Sequence, residues 1–177
     1  MHLTHPRFTL RPMTDDDLPA LLDVYRQCED FLALGPNPHA SRAMIEDDWR
    51  LSREQHGDFN VILAPDGRMI GVLDVVFGGY QGQAERAYIE LLMIAVPYRA
   101  KGLGTDVVRA IEAEIIRRPA IRQIGLGAQV NNPGAVRFWQ RMGYRITDGP
   151  ELMPDQTTVY HMSKTIGNGD LAAQGSG

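Results

Sequence analysis

The segment LLMIAVPYRAKGLG, from Leu91 to Gly104, limits what this chain can become more than any other. Its first half completes a nearly unbroken apolar stretch from Tyr88 to Ala95, the pattern of a central strand buried on both faces. Its second half turns through Gly102 and Gly104 into a stretch where Leu103, Val107, Ile111 and Ile115 recur at every fourth position, which predicts an amphipathic helix from Gly102 to Arg118. A strand that passes through a two-glycine turn into a helix brings bare backbone N–H groups together at the positive end of the helix dipole. Such a turn is a cradle the size of a pyrophosphate, although a tight turn with no ligand needs glycine too. No Gly-Lys-Ser/Thr follows, so it is not a P-loop. Val107 stands where a dinucleotide-binding turn has its third glycine, and a hairpin rather than a βαβ unit precedes it.

The other periodicities place elements around this unit. Phe8 to Arg11 reads as a strand closed by Pro12, and Thr14 with Asp17 three residues on marks the start of a helix from Asp15 to Gln27. Leu18, Leu21, Leu22 and Tyr25 share one face of it. After the break at Gly35 to Pro38, a second helix is predicted from Ser41 to Glu54. Val61 to Leu63 and Met69 to Phe77 form a hairpin about Pro65-Asp66-Gly67. Beyond the Gly102 to Arg118 helix come a strand from Ile121 to Val130, a short helix from Pro133 to Met142, and strands from Tyr144 to Thr147 and Thr158 to Ser163. The predicted order is βααβββαβαββ, with six to seven strands and four helices in one domain over residues 1–166. Residues 167–177 lack large apolar side chains and are expected to form a flexible tail.

A chain of 177 residues, 44% of them hydrophobic, can bury a core without a metal or disulfide staple. Cys28 is the only cysteine, which rules out an intrachain disulfide and a thiolate zinc site and points to a reducing compartment, the cytoplasm. No metal is expected. The longest apolar run falls far short of the ~20 residues that span a bilayer, and the opening MHLTHPRFTLRP lacks the apolar centre of a signal peptide, so no membrane partner is expected. Eighteen Lys and Arg stand against 22 Asp and Glu, with no basic run to follow a phosphate backbone, which argues against nucleic acid.

Two motifs together resemble a known family. Arg99-x-x-Gly102-x-Gly104 matches the R/Q-x-x-G-x-G/A signature of the GNAT superfamily of N-acetyltransferases. Asn132-x-x-Ala135-x-x-Phe138-Trp139-x-x-x-Gly143-Tyr144 is similar to that family's N-x-x-A-x-x-F-Y-x-x-x-G-F segment, and the resemblance covers Phe8 to Lys164. It implies an α/β (α+β) fold with a mixed, mostly antiparallel sheet that splays where the strands at Tyr88 to Ala95 and Ile121 to Val130 part. It also implies acetyl-CoA as cosubstrate, bound by Arg99, Ala100, Lys101, Gly102, Leu103 and Gly104, with Asn132 and Ala135 on the neighbouring helix. Backbone N–H groups near Met93 and Ile94 would then pair with the pantetheine arm and hold the oxyanion.

Acetyl transfer to an amine needs a base or a water relay, because a free amine of pKa ~10 is almost wholly protonated at pH 7. Glu90, an acid in an apolar strand, is the first candidate, and several members of the family carry their base on this strand; a carboxylate at a wet face or paired with arginine is the alternative. Trp139 stands where many members have the tyrosine that protonates the departing thiolate. An indole N–H can hold or pack against sulfur but cannot supply that proton. Tyr144, Tyr160 and His161 are substitutes for the acid, but each reads first as a structural residue; Tyr144 begins a strand, and its counterpart in the family is an apolar core residue. Cys28 is either an acetyl carrier in a two-step scheme or a small apolar filler. The acceptor pocket is expected from residues 29–38, 78–83 and 152–157, where Glu29 and Asp30 suit a cationic amine. The function implied is acetyl transfer from acetyl-CoA to a primary amine on a small molecule, by direct attack in a ternary complex. The alternative is a non-catalytic acyl-CoA-binding module, and a homodimer stays open.

Overall fold

The computed structural model describes residues 1–166, so the expected tail from Gly167 lies outside the described residues. Eight strands form one sheet: β1 (Leu3–His5), β2 (Phe8–Pro12), β3 (Asp58–Leu63), β4 (Met69–Val76), β5 (Arg86–Ile94), β6 (Gln123–Gln129), β7 (Arg145–Leu152) and β8 (Thr158–Thr165), in spatial order β1-β2-β3-β4-β5-β6-β8-β7. Five helices accompany them: α1 (Leu18–Arg26), α2 (Glu29–Leu32), α3 (Arg42–Glu54), α4 (Leu103–Ile116) and α5 (Pro133–Arg141). Every neighbouring pair of strands is antiparallel except β5 and β6. The mixed, mostly antiparallel sheet is therefore as expected, while the counts of strands and helices each rise by one over the prediction. β1 is three residues, Leu-Thr-His, too short for alternation to show, and α2 is a four-residue turn below the length at which helical periodicity is visible. β7 also runs on to Leu152; it is exposed throughout at the end of the sheet, where Pro150 is tolerated.

Local chemistry sets the helix starts. The Asp17 carboxylate accepts from the Thr14 N–H at 2.8 Å and from both terminal nitrogens of Arg11 at 2.6 Å, and Arg11 holds its carboxyl down to about 2. Ser41 caps α3 by accepting the Met44 N–H at 3.1 Å, and Asn132 caps α5 by accepting the Ala135 N–H at 3.0 Å.

The sheet is covered on both faces. On one, Val107, Val108, Ile111 and Ile115 of α4 and Trp139 of α5 pack with Leu10, Leu73, Ile89 and Leu126. On the other, Leu21, Val24 and Tyr25 of α1 and Ile45 of α3 pack with Val61, Val72 and Met93. β5 and β6 pair only from Arg86↔Gln123 to Ile89↔Leu126. Beyond that point the two strands part and the sheet opens.

Candidate active site

The opening coincides with a break in the alternation of β5. Against β4, Ile89 pairs with Val75 and Leu91 with Asp74, so Glu90 is an extra residue with no partner in the register, a β-bulge. Its effect is visible in the packing. Ala87 and Ile89 face the α4 side, yet so do Leu92 and Ile94, while Leu91 and Met93 face α1 and α3. The bulge has shifted the parity by one, and it leaves Leu91 and Leu92 only half-buried, where the unbroken apolar run led us to expect burial on both faces. It also sets the Glu90 carboxyl at the mouth of the gap, half-buried, with Oε1 fully buried and without a hydrogen-bond partner among the described residues.

That environment tunes the carboxyl. Burial pushes it up to about 7; the Tyr80 hydroxyl pulls it down and the Asp74 carboxylate adds to the rise. Tyr80 stacks on Tyr88 with ring centroids 3.8 Å apart, and the Arg86 guanidinium lies 5.7 Å and 5.4 Å from the two rings. Burial raises both phenols, Tyr88 to about 12, so they stay protonated at neutral pH. Asp74 is buried, accepts from the Ser52 hydroxyl at 2.7 Å, and is pushed up to about 6 by that burial. Asp74, Tyr80 and Tyr88 were not singled out from the sequence. Only Tyr88, two residues before Glu90 and so on the same side of the strand, carried a local signal.

The register also says which amides face the gap. Ala95 donates to the Ile70 carbonyl at 2.9 Å, which makes Ala95/Ile70 a hydrogen-bonded pair and Met93/Val72 the next one along. By this register Met93 turns its N–H toward β4. Leu92 and Ile94, in the pairs between, turn their N–H groups toward the gap.

Past the gap, the chain enters the turn that the sequence singled out. Ala100 and Gly102 both have positive φ, 59° and 79°, and Gly102 caps α4. The N–H groups of a first helical turn have no partner within the helix, so those of α4 face outward at its positive end. Leu103 is in the core, and the Lys101 ammonium caps the Pro97 carbonyl at 3.1 Å. Arg99 does not point away into solvent: its Nε donates to the Ile94 carbonyl at 2.6 Å and Nη1 pairs with Asp30 at 2.5 Å. It thereby ties the turn to α2. A Cβ on Gly104 would stand 3.6 Å from Phe138 and 3.5 Å from Ile94, so Phe138 borders the turn.

Several candidates take structural places. Trp139 is buried, edge-on to Phe138 and Tyr144 at centroid distances of 5.0 and 5.2 Å. It belongs to the α4-side core. Tyr144 is fully buried beside Glu112, and Asn132 is a helix cap whose oxygen is taken by Ala135. His161 is held by Glu151 at 2.6 Å. Cys28 lies against the Ile94 carbonyl at 3.5 Å, close to the gap, but burial pushes its thiol up against the pull of Arg99. That is the setting of an inert thiol. Of the loops expected to form an acceptor pocket, two meet, since a Cβ on Gly35 would touch Thr157 at 3.4 Å. Tyr80 brings the third beside Glu90. No group of three or more His, Cys, Asp or Glu suited to a metal ion occurs among the described residues, and no helix among them is long and apolar enough to cross a membrane.

Residues 18–144 match the model of the acetyltransferase (GNAT) family. The chain belongs to the GNAT family. N-alpha-acetyltransferase 30 of Schizosaccharomyces pombe is 26% identical over 96 residues, which cover 54% of this chain and 63% of that protein. The chain thus spans less than two thirds of the length of this curated relative. Among solved structures, an acetyltransferase from Thermus thermophilus superposes with a TM-score of 0.76 at 23% identity, covering 94% of this chain and all of that one. A spermidine N-acetyltransferase from Vibrio cholerae, solved with CoA and spermine, superposes with a TM-score of 0.68 at 16% identity, covering 91% of this chain and 96% of that one. The GNAT fold accounts for the strands that part beside a glycine turn, which are the two features the sequence motifs implied.

Proposed function

We propose that this protein transfers an acetyl group from acetyl-CoA to a primary amine of a small cationic molecule, by direct attack in a ternary complex. One observation carries the reading: a bulged, half-buried glutamate stands where β5 and β6 part, next to a two-glycine helix start. The residues fit acetyl-CoA. The turn leaves Gly102 without protein nearer than 3.6 Å to where a Cβ would stand, and α4 directs its first N–H groups outward for a pyrophosphate. The gap offers the Leu92 and Ile94 edge of β5 to an extended, amide-bearing arm. CoA in the Vibrio cholerae structure supports the same assignment.

The chemistry then follows from this chain's own groups. Glu90, with a carboxyl near 7, accepts a proton from the incoming ammonium directly or through one water. The freed nitrogen lone pair attacks the thioester carbonyl, and an N–H on the gap edge of β5 stabilises the oxyanion. When the C–S bond breaks the electron pair leaves on sulfur, and the nitrogen's second proton passes to that thiolate directly or through water, so that a neutral amide and free CoA thiol result; a thiol of pKa ~8.5 is a fair leaving group without a side-chain acid. Trp139 acts through the core. A cationic acceptor is favoured by the Glu90 carboxyl at the gap, and the spermine bound by the Vibrio cholerae protein belongs to that class. The reading is tested by incubating the protein with acetyl-CoA and a panel of polyamines, aminoglycosides and peptide N-termini and following free CoA thiol. Release that depends on a small polycationic amine is expected; binding of acetyl-CoA without release by any amine would favour the non-catalytic module.

A further inference from the structure

We propose that Arg7, in the turn between β1 and β2, is a positioning residue for the phosphate cradle: it clamps the Lys101 carbonyl and so aims the Gly102 N–H at a bound diphosphate. The proposal rests on the acetyl-CoA reading above. Arg7 and Lys101 lie far apart in sequence, but the antiparallel register carries one end of the sheet across from Thr9↔Leu63 through Leu63↔Met69 to Gly71↔Ile94, which brings the β1–β2 turn beside the C-terminal end of β5. There the Arg7 Nη2 donates to the Lys101 carbonyl at 2.7 Å and Nη1 to Asp106 Oδ2 at 2.5 Å. Nη1 also stands 3.6 Å from where a Cβ on Gly102 would be. The turn that carries Arg7 is itself fixed, because the Arg7 N–H donates to His5 Nδ1 at 3.2 Å and the His5 ring stacks on Phe8 at 4.6 Å.

A trans peptide is planar, with its C=O and N–H pointing in opposite directions. Holding the Lys101 carbonyl therefore fixes the direction of the Gly102 N–H. Such a hold is needed here, since Ala100 and Gly102 flank Lys101 with positive φ and Ala100 is sterically strained there. The rigid fork of a guanidinium can bond a carbonyl and the Asp106 carboxylate in the first turn of α4 at once, and so locks the turn to the helix. A lysine ammonium, a point charge on a flexible stem, supplies the charge but not the two bonds in fixed register.

The test compares wild type, Arg7→Gln and Arg7→Lys by calorimetric titration with CoA and with inorganic pyrophosphate. Their kinetics are measured with acetyl-CoA and with S-acetyl-pantetheine, which carries the same thioester and no diphosphate. Arg7→Gln should raise the Kd for CoA and the KM for acetyl-CoA roughly tenfold, as expected for a charge-assisted hydrogen bond, with kcat and the amine KM unchanged. Turnover of S-acetyl-pantetheine should not change, and Arg7→Lys should recover less than half of the lost affinity. Equal losses with both thioesters, an unchanged Kd, or full recovery in Arg7→Lys would each overturn the clamp. A wild-type chain that binds neither CoA nor pyrophosphate would overturn the acetyl-CoA reading and the clamp with it.

Discussion

A general base works best when its pKa lies near the pH at which it operates, because it is then both deprotonated often enough and basic enough to take the proton. Burial brings the Glu90 carboxyl to about 7, while Asp17, at the other end of the scale, is held at about 2 by Arg11. The difference is one of partners: Asp17 accepts from Arg11 and Thr14, whereas Glu90 Oε1 has none among the described residues. Glu90→Gln should therefore lower the transfer rate by ~10² to 10⁴ while leaving the Kd for acetyl-CoA within twofold, as read by steady-state kinetics beside a binding titration. Trp139 makes the opposite prediction. Its ring is packed edge-on between Phe138 and Tyr144, so Trp139→Ala should lose about 3 to 5 kcal/mol in urea unfolding, and Trp139→Phe should keep most of the stability and its rate per folded molecule. A strong, selective loss of kcat in a stably folded Trp139→Phe would place the indole in the reaction instead.

At the scale of elements, the β5–turn–α4 unit was legible because each of its parts has a strong local cause: a run of apolar residues, two glycines and a four-residue repeat. The bulge at Glu90 was not. Nothing in Ile89-Glu90-Leu91 marks an inserted residue, since the parity shift exists only relative to β4, and pairing partners are not written in the strand itself. For the same reason the sequence narrows the gap-facing amides only to the neighbourhood of Met93 and Ile94. Arg7 was beyond reach because a two-residue turn in a polar N-terminal segment says nothing of what lies across the sheet. The Arg99 to Gly104 turn leads to a prediction at this scale. Gly102 has φ 79°, so Gly102→Asp adds backbone strain and a like charge where the diphosphate should lie. Acetyl-CoA at a hundred times its Kd should stabilise the wild type by about 2.7 kcal/mol, a rise in Tm of roughly 5 to 11 °C, and should leave the Tm of Gly102→Asp unchanged.

For the whole molecule, the acids under α1 and α3 couple function to stability. Asp48, whose Oδ2 accepts from the Tyr25 hydroxyl at 2.8 Å, and Asp74 are each raised by burial to about 6, and Glu90 to about 7, so the folded protein holds protons that the unfolded chain releases near pH 4. Their contribution is present below that pH and is lost as pH rises through 6 to 7. Asp17 acts in the other direction, stabilising above about 4 and losing its contribution as pH falls toward 2. The Tm should therefore be highest near pH 4 to 5 and fall toward 7.5, and Asp74→Asn should flatten that fall; a Tm that rises steadily from pH 4.5 to 7.5 would show that these acids titrate normally. Ionising a buried carboxyl next to the gap, as the base must be to act, thus works against the fold at that pH. The measurement that bears most directly on the account is the pH dependence of amine-dependent CoA release at low amine concentration. The wild type should show kcat/KM rising with pH through an apparent pKa near 7, and Glu90→Gln should lose that limb together with most of the rate. The same limb persisting in Glu90→Gln at an undiminished rate would contradict it.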